Sequence, residues 1–328
     1  MSISLSSVIS CPSAHRRKIY VVRSVSEPPG QRSVMSDMES SYRMTFNAGE
    51  PRWNTPIVKL EVESRKYGCK VYAKLEIGNP TGVHKDRESA MVMLDMKRKG
   101  LTELVCTSSG NAAISISAFA YMNGFKSHVF VGDIPDEKIQ LLRVFGPCIH
   151  KVRGTYNEAL EVMLKFLEGK NIYNANAGYC PAKLDGNSYI GHEIARDLAP
   201  DYVICPTSNG THLVGVGMGV KRAGSKAKMI AAIAPTSVIA SSITGFYGKE
   251  QPKIDNTVKE TGGQYVEVSD DELVVTTKSL AKQGIFVEPA SAASLAAISH
   301  INPQENSVIC CTITGSALKY PLILRNVL

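Results

Sequence analysis

The sequence predicts an α/β fold of two open, mainly parallel α/β lobes, and three observations carry that expectation. Short apolar runs alternate with helix-period segments from Thr55 onward, the pattern of βαβ units. Glycine or Asn-Gly closes the helical segments at Gly100, Asn123-Gly124 and Gly146, where a left-handed residue ends a helix without a Cβ penalty. The chain has 328 residues, 44% of them apolar, which is too much for one ordinary core and suits two lobes of about 100 to 200 residues each.

The elements follow in order from their periodicity. Residues 71–75 read as a strand and 86–98 as a helix; 104–107 as a strand and 112–122 as a helix. The alternation continues with strand 127–131, helix 137–145, strand 149–152 and helix 156–167. A loop-rich stretch over 174–188 puts the lobe boundary near residue 173. Beyond it come helix 190–198, strand 202–205, helix 211–222, strand 229–234, helices 273–283 and 292–300, and strand 308–312. Residues 1–48 form an N-terminal extension, 66–172 the smaller lobe, and 49–65 with 173–328 the larger one. There is no internal repeat.

Several function classes drop out. The formal charge is +7, but residues 1–34 hold five Arg or Lys against one Glu. The rest of the sequence is too dilute in surplus charge for the basic stripe that nucleic acid requires. Eight cysteines show no Cys-x-x-Cys pair and no metal-ligand spacing to histidine, so no metal is expected and a reduced, cytoplasmic compartment fits. No apolar run approaches the 18 residues or so of a membrane span. The Ser- and Arg-rich start weakly resembles an organelle transit segment, and a solvated extension satisfies the same composition.

In open α/β sheets, ligands sit beyond the carboxyl ends of strands, where helix N-termini aim N–H groups at anions. Four turns of that kind stand out. The first, 78–87, is punctuated by glycine and proline and delivers Lys85 to a helix start. The positive helix end disfavours an ammonium there and would lower its pKa, as a Schiff-base lysine requires. By spacing alone, an exposed first-turn lysine is the better reading. The second, Thr107-Ser108-Ser109-Gly110-Asn111, offers hydroxyls and N–H groups to a carboxylate, or simply an N-cap. The third, Ser208-Asn209-Gly210-Thr211-His212, has the makings of a phosphate cradle but is neither a Walker loop nor Gly-x-Gly-x-x-Gly. The glycines of the helix after it equally suit close helix packing. The fourth, 312–319, brings Thr314 to another strand end.

Taken together and in this order, the turns resemble the fold type II family of pyridoxal-phosphate enzymes, which includes threonine synthase, cysteine synthase and the tryptophan synthase β chain. Asn-Pro-Thr-Gly-x-x-Lys-Asp-Arg (79–87), Ser-Gly-Asn-Ala-Ala (109–113), Phe-Val-Glu-Pro-Ala-Ser-Ala-Ala-Ser (286–294) and Thr-Gly-x-x-Leu-Lys (314–319) are most similar to threonine synthase. The resemblance covers about residues 54–322 and implies a cofactor, pyridoxal 5'-phosphate, in the cleft between the lobes. It implies Lys85 as the Schiff-base lysine and, once released, the base at Cα, and Asn111 at the phenolic oxygen. Ser108, Ser109 and Gly110 would bind the substrate carboxylate, and Ser208, Asn209, Gly210, Thr211 and His212 the cofactor phosphate. Thr314 would face the pyridine nitrogen. A neutral hydroxyl there does not hold that nitrogen protonated, which suits elimination or replacement over transamination.

The sequence also departs from the pattern. His84 stands where threonine synthases carry Phe, and resembles the histidine with which the tryptophan synthase β chain helps hold cofactor phosphate. Lys183 stands where threonine synthases carry an arginine for the substrate phosphate, keeping the charge without the bidentate fork. The implied activity is elimination or replacement on an O-activated, O-phosphorylated amino acid. A β-replacement synthase using O-phosphoserine or O-acetylserine stays open, as does a non-catalytic cofactor-binding paralogue. The resemblance further implies a homodimer, with a small amino acid as the only other partner.

Overall fold

The structure, a computed structural model, describes residues 53–108, 110–133, 136–244, 250–319 and 324. The expected extension at 1–48 and Ser109 lie outside them. The fold opens with β1 (Ile57–Lys59), α1 (Glu61–Tyr67), β2 (Lys70–Leu75) and α2 (Lys85–Arg98). It then alternates through β3 (Glu103–Thr107), α3 (Asn111–Met122), β4 (Lys126–Val131), α4 (Asp136–Arg143), β5 (Cys148–Lys151), α5 (Tyr156–Leu167) and β6 (Tyr173–Asn174). The second half runs α6 (Ala182–Leu198), β7 (Tyr202–Pro206), α7 (Thr211–Arg222), β8 (Lys228–Ile233), α8 (Gln251–Glu260) and β9 (Gln264–Glu267). It closes with α9 (Asp270–Lys282), α10 (Pro289–Ala296), α11 (Ile298–Ile301) and β10 (Val308–Ile313).

Two sheets result, ordered β1-β2-β10-β7-β8-β9 and β5-β4-β3-β6. All pairs are parallel except β1 with β2. The α/β expectation therefore holds, but lobe membership differs at both ends of the smaller lobe. β2, expected in the smaller lobe, lies between β1 and β10 in the larger sheet, while β6 joins β3 in the smaller one. Alternation identifies a strand without naming its neighbour, and the partner of β2 lies more than 230 residues away, Val308 opposite Lys70.

The core explains the layers. Ile204, Ile230, Ala293 and Ile309 pack on one face of the large sheet, and Ile194, Val203, Val216 and Met229 on the other. Met91, Val92, Met93 and Met96 of α2 join Phe119, Leu104 and Val129 in the small-lobe core. Helix α2 is thus anchored in the small lobe while its first turn reaches the large sheet. Burying one such apolar residue contributes about 1.5–3 kcal/mol.

One polar cluster crosses these layers. Arg87 and Lys74, each 0% exposed, face Glu76 and Glu193. Arg87 Nε meets Glu76 Oε2 at 2.8 Å and its Nη1 meets Glu193 Oε1 at 2.6 Å. Lys74 Nζ lies 2.6 Å from Glu193 Oε2 and donates to the Thr55 carbonyl at 2.7 Å. Two cations and two carboxylates cancel here, and removing one would strand a buried charge at a cost of about 3–5 kcal/mol. The cluster ties β2 and α6 to the start of α2.

Candidate active site

Strands β2, β10 and β7 are consecutive in the large sheet, so three of the four turns leave neighbouring carboxyl ends. The fourth leaves β3 of the small sheet. The turn before Lys85 is fixed by its own polar side chains. Asn79 Nδ2 donates to Glu76 Oε2 at 2.6 Å and to the Val83 carbonyl at 3.0 Å. The Thr81 N–H and hydroxyl both donate to Asp86, each at 2.6 Å. Gly82 takes φ +75° between them, a conformation that suits glycine. Residues 82–84 then zip onto the turn after β10: the His84 N–H donates to the Thr314 carbonyl at 2.9 Å and the Ser316 N–H to Gly82 O at 2.9 Å.

This scaffold holds Lys85 as the first residue of α2. Its Nζ donates to Glu88 Oε1 at 2.7 Å, and Lys183 Nζ lies 3.6 Å from Glu88 Oε2. Asn187 Nδ2 adds a third contact to Glu88 Oε1 at 2.9 Å. Burial pulls the Lys85 pKa down, with Lys183 adding to the effect, and Glu88 restores part of it. Burial alone would raise Glu88, but the two lysines hold it below its ordinary value. At Lys183 burial pulls down most strongly, but Glu88 together with Cys180 and Cys106 carries that ammonium above the usual lysine value.

His84 lies with its ring centroid 4.5 Å from that of His212. Its Nδ1 meets the Thr314 carbonyl at 3.2 Å, while Nε2 is buried with no hydrogen-bond partner among the described residues. His212 turns inward. Its Nδ1 meets Asn187 Oδ1 and its Nε2 meets Thr312 Oγ1, both at 2.9 Å. Burial pushes it down to about 3, so its ring is neutral and fully engaged, and the backbone is what this residue offers an anion.

The turn after β7 has the features of an anion cradle. Helix α7 begins without a capping hydrogen bond from a side group and with no acidic residue in its first turn. The hydroxyl of buried Thr211 has no partner among the described residues, and the Thr211 N–H reaches Asn209 Oδ1 at 3.2 Å. Gly210 takes φ +85°, and a Cβ there would meet Ile254 Cγ1 at 2.2 Å. Ser208 completes the turn. Thr211 Oγ1 and His84 Nε2 without hydrogen bonds among the described residues, an uncapped helix start and a part-buried lysine fit a phosphate-bearing aldehyde.

On the small-lobe side, the Ser108 N–H donates to the Phe130 carbonyl at 3.2 Å and the Gly110 N–H to Ser108 Oγ at 3.3 Å. A cavity of about 140 Å³ opens beside Thr107 and Ser108, with Asp133 and Tyr156 in its wall. A larger cavity of about 520 Å³ lies elsewhere, against Tyr189, His192 and Arg222 on the far side of α6. Asn111 opens α3 with its amide engaged: Nδ2 donates to Glu288 Oε2 at 2.8 Å, and Oδ1 accepts from Lys319 Nζ at 2.6 Å. The Thr314 hydroxyl lies 3.0 Å from Ser291 Oγ, which also accepts from the Gly315 N–H at 2.8 Å.

Sequence reasoning missed Glu88, Asn187, Glu288, Ser291 and Lys319. Glu88 carried a legible signal, since three residues along a helix return to the Lys85 face. Glu288 and Lys319 lie inside the quoted motifs 286–294 and 314–319.

A part-buried lysine at a helix start, among strand-end turns that include an uncapped helix, suits a cofactor-dependent enzyme class. Residues 50–315 match the model for "Pyridoxal-phosphate dependent enzyme", and the protein belongs to that family, with pyridoxal phosphate as its cofactor and the fold type II architecture. It is 29% identical over 295 residues to the threonine synthase of Halalkalibacterium halodurans, covering 82% of this chain and 83% of that protein. In fold it is similar to maize serine racemase, with a TM-score of 0.76 at 19% identity over 89% of this chain and 96% of that one. O-ureido-L-serine synthase gives a TM-score of 0.72 at 22% identity, over 84% and 93% of the two chains. No helix among the described residues is long and apolar enough to cross a membrane.

Proposed function

We propose that this enzyme catalyses elimination or replacement on an amino acid activated at its side-chain oxygen, in the manner of the threonine synthases it resembles. The observation that carries the reading is Lys85, part-buried at the start of α2 with its Nζ 2.7 Å from the buried carboxylate of Glu88. In this reading Lys85 Nζ holds the cofactor and, when the substrate amine displaces it, takes the proton from Cα. Burial has already lowered its affinity for a proton, which brings it toward the range of a working base. The N–H groups at the start of α7, with Ser208, Asn209, Gly210 and Thr211, hold the cofactor phosphate. His84 Nε2 adds one polar contact to that group. Ser108, Ser109 and Gly110 receive the substrate carboxylate, and Lys183 faces the substrate side chain. The bound cofactor supplies the electron sink for the Cα carbanion. Thr314, as a hydroxyl beside Ser291, leaves the ring nitrogen without a counter-charge and so favours loss or replacement of the side-chain group.

A second reading is a β-replacement synthase that uses O-phosphoserine or O-acetylserine. The favouring observation is Lys183, which presents one compact ammonium rather than a forked guanidinium. The homodimer implied by the resemblance belongs to the same proposal, and light scattering on the eluting peak of a sizing column measures it.

The deciding experiment is a visible spectrum of the purified protein before and after borohydride, followed by titration with O-phosphoserine, O-phosphohomoserine and O-acetylserine. A band that borohydride bleaches, absent from a folded Lys85→Ala variant, is the expected result. A band that survives in that variant would remove Lys85 from the role. Among the substrates, release of threonine from O-phosphohomoserine selects the first reading, and capture of sulfide by a serine derivative selects the second.

A further inference from the structure

We propose that Glu88 is a positioning residue shared by two amines: it pairs with Lys85 while that amine is free and with Lys183 while Lys85 is committed to the cofactor. The proposal rests on the reading in which Lys85 holds the cofactor and takes the Cα proton, and it adds the group that sets when Lys85 carries one. Glu88 sits one residue past the 79–87 motif, so the resemblance assigns it no role.

The carboxylate is placed for two partners and satisfied on one side. Its Oε1 accepts from Lys85 Nζ at 2.7 Å and from Asn187 Nδ2 at 2.9 Å. Its Oε2 is buried with no hydrogen-bond partner among the described residues, and Lys183 Nζ stands 3.6 Å from it, just beyond hydrogen-bond distance. Glu88 is 1% exposed and Lys183 4% exposed, so salt and water screen the pair weakly. A buried carboxylate is costly without a cation. When the cofactor takes Lys85, Lys183 is the ammonium at hand, and a movement of about 0.5 Å brings it onto Oε2. Asn187 steadies the carboxylate through the exchange: its Oδ1 faces His212 Nδ1 at 2.9 Å, which leaves its amide N–H groups to Glu88. Further titratable groups face the pair from the neighbouring elements. His84 Nε2 lies 3.9 Å from Glu88 Oε1, and burial pushes both His84 and His212 toward the neutral form. Cys180 and Cys106 act on Lys183, and burial raises both thiols, which keeps them uncharged near neutral pH.

The consequence is chemical. Burial and Lys183 both weaken the hold of Lys85 on a proton, and Glu88 strengthens it. In turnover the substrate amine releases Lys85 Nζ as a neutral amine. The Cα–H bond then breaks, its electron pair stays with carbon, and the proton passes to Nζ. The ammonium so formed meets Glu88 Oε1, so the carboxylate stabilises positive charge where it develops and makes the lysine a stronger base than burial alone allows. Lys183 gives up the carboxylate at the same moment and is released toward the substrate side chain.

The test follows cofactor capture by the full chain. Protein stripped of cofactor with hydroxylamine, and shown by circular dichroism to stay folded, is mixed with pyridoxal phosphate over a range of pH, and the rate at which the borohydride-sensitive band appears is read. Capture needs neutral Lys85, so the rate rises with pH through the midpoint of that lysine. Glu88→Gln keeps the shape and removes the charge. It should lower the midpoint by about one unit, which makes capture about tenfold faster on the acid side. Glu88→Asp keeps the charge and should return the midpoint most of the way to that of wild type. Lys183→Gln removes the competing cation and should move the midpoint up, and it decides the matter if Glu88→Gln does not fold. An unmoved midpoint in Glu88→Gln, even with a changed overall rate, removes the pairing with Lys85, and an unmoved midpoint in Lys183→Gln removes the sharing; either result overturns the proposal and leaves the elimination reading intact. A Lys85→Ala variant that forms the borohydride-sensitive band as wild type does would instead strike the role of Lys85 and the proposal with it.

Discussion

Lys319 brings a charge into the middle of the site from the last of the four motifs. Its Nζ lies 2.6 Å from Asn111 Oδ1 and 3.2 Å from Glu288 Oε1. Burial lowers its pKa, and Glu288 offsets part of that loss. Asn111 is the residue proposed to meet the cofactor's phenolic oxygen, so a cation on its far side favours the ionised oxygen through the amide. Lys319→Met removes that cation and should raise the pH midpoint of the bound cofactor's visible transition by about one unit. A spectral pH titration measures it, and an unmoved midpoint would make Lys319 a structural partner of Glu288 alone. Gly315 shows how tightly this corner is built: a Cβ there would lie 3.0 Å from Glu288 Oε2 and 3.2 Å from Asn111 Nδ2.

The helix pair α6 and α7 sets the floor of the site, and glycine sets its spacing. A Cβ at Gly219 would lie 1.9 Å from the Ser188 carbonyl oxygen, and one at Gly191 would lie 2.0 Å from the Val216 carbonyl oxygen. Close packing is thus what the glycines of α7 provide, and the cradle comes from the turn ahead of them. Gly219→Ala forces the pair apart and should cost about 3 kcal/mol in urea unfolding, at the upper end for overpacking. Because Asn187 on α6 bonds His212 on α7, cofactor affinity should fall as well. A loss under about 1 kcal/mol would mean that the helices separate freely. Strand and helix alternation is legible from residue 71 onward, since period reports burial of one face. The start of α6 is not: Gly186 and Asn187 break its apolar rhythm, so periodicity places the helix only from 190. Gly186 is there because a Cβ would lie 2.4 Å from the Arg87 carbonyl oxygen. Lys85, Asn111 and Thr314 are legible as strand-end turn residues. The ion pair between Lys183 and Glu88 is hidden, because 95 residues of sequence separate its members.

Across the whole molecule, buried histidines make stability depend on pH in a definite direction. His212 falls from the usual 6.5 to about 3 because it is buried, and His84 moves the same way for the same reason, aided by Lys85 and His212. Between those values the unfolded state binds the proton and the folded state refuses it. The His212 contribution is therefore full above pH 6.5 and is lost as pH falls toward 3, and His84 adds in the same direction. His212 adds a slope of about 1.4 kcal/mol per pH unit within that window. Asp86 acts oppositely, since burial raises it from 3.8 to about 6. Its contribution is present below its unfolded value and is lost as pH rises through about 6. Two histidines against one aspartate leave a net loss of stability on acidification. Urea unfolding of the protein between pH 6.5 and 5 should show it. His212→Gln keeps a side group able to reach Asn187 and Thr312 but cannot titrate. It should lower the starting stability and flatten the slope by about 1.4 kcal/mol per pH unit. If the two profiles run parallel, His212 does not stay neutral in the fold.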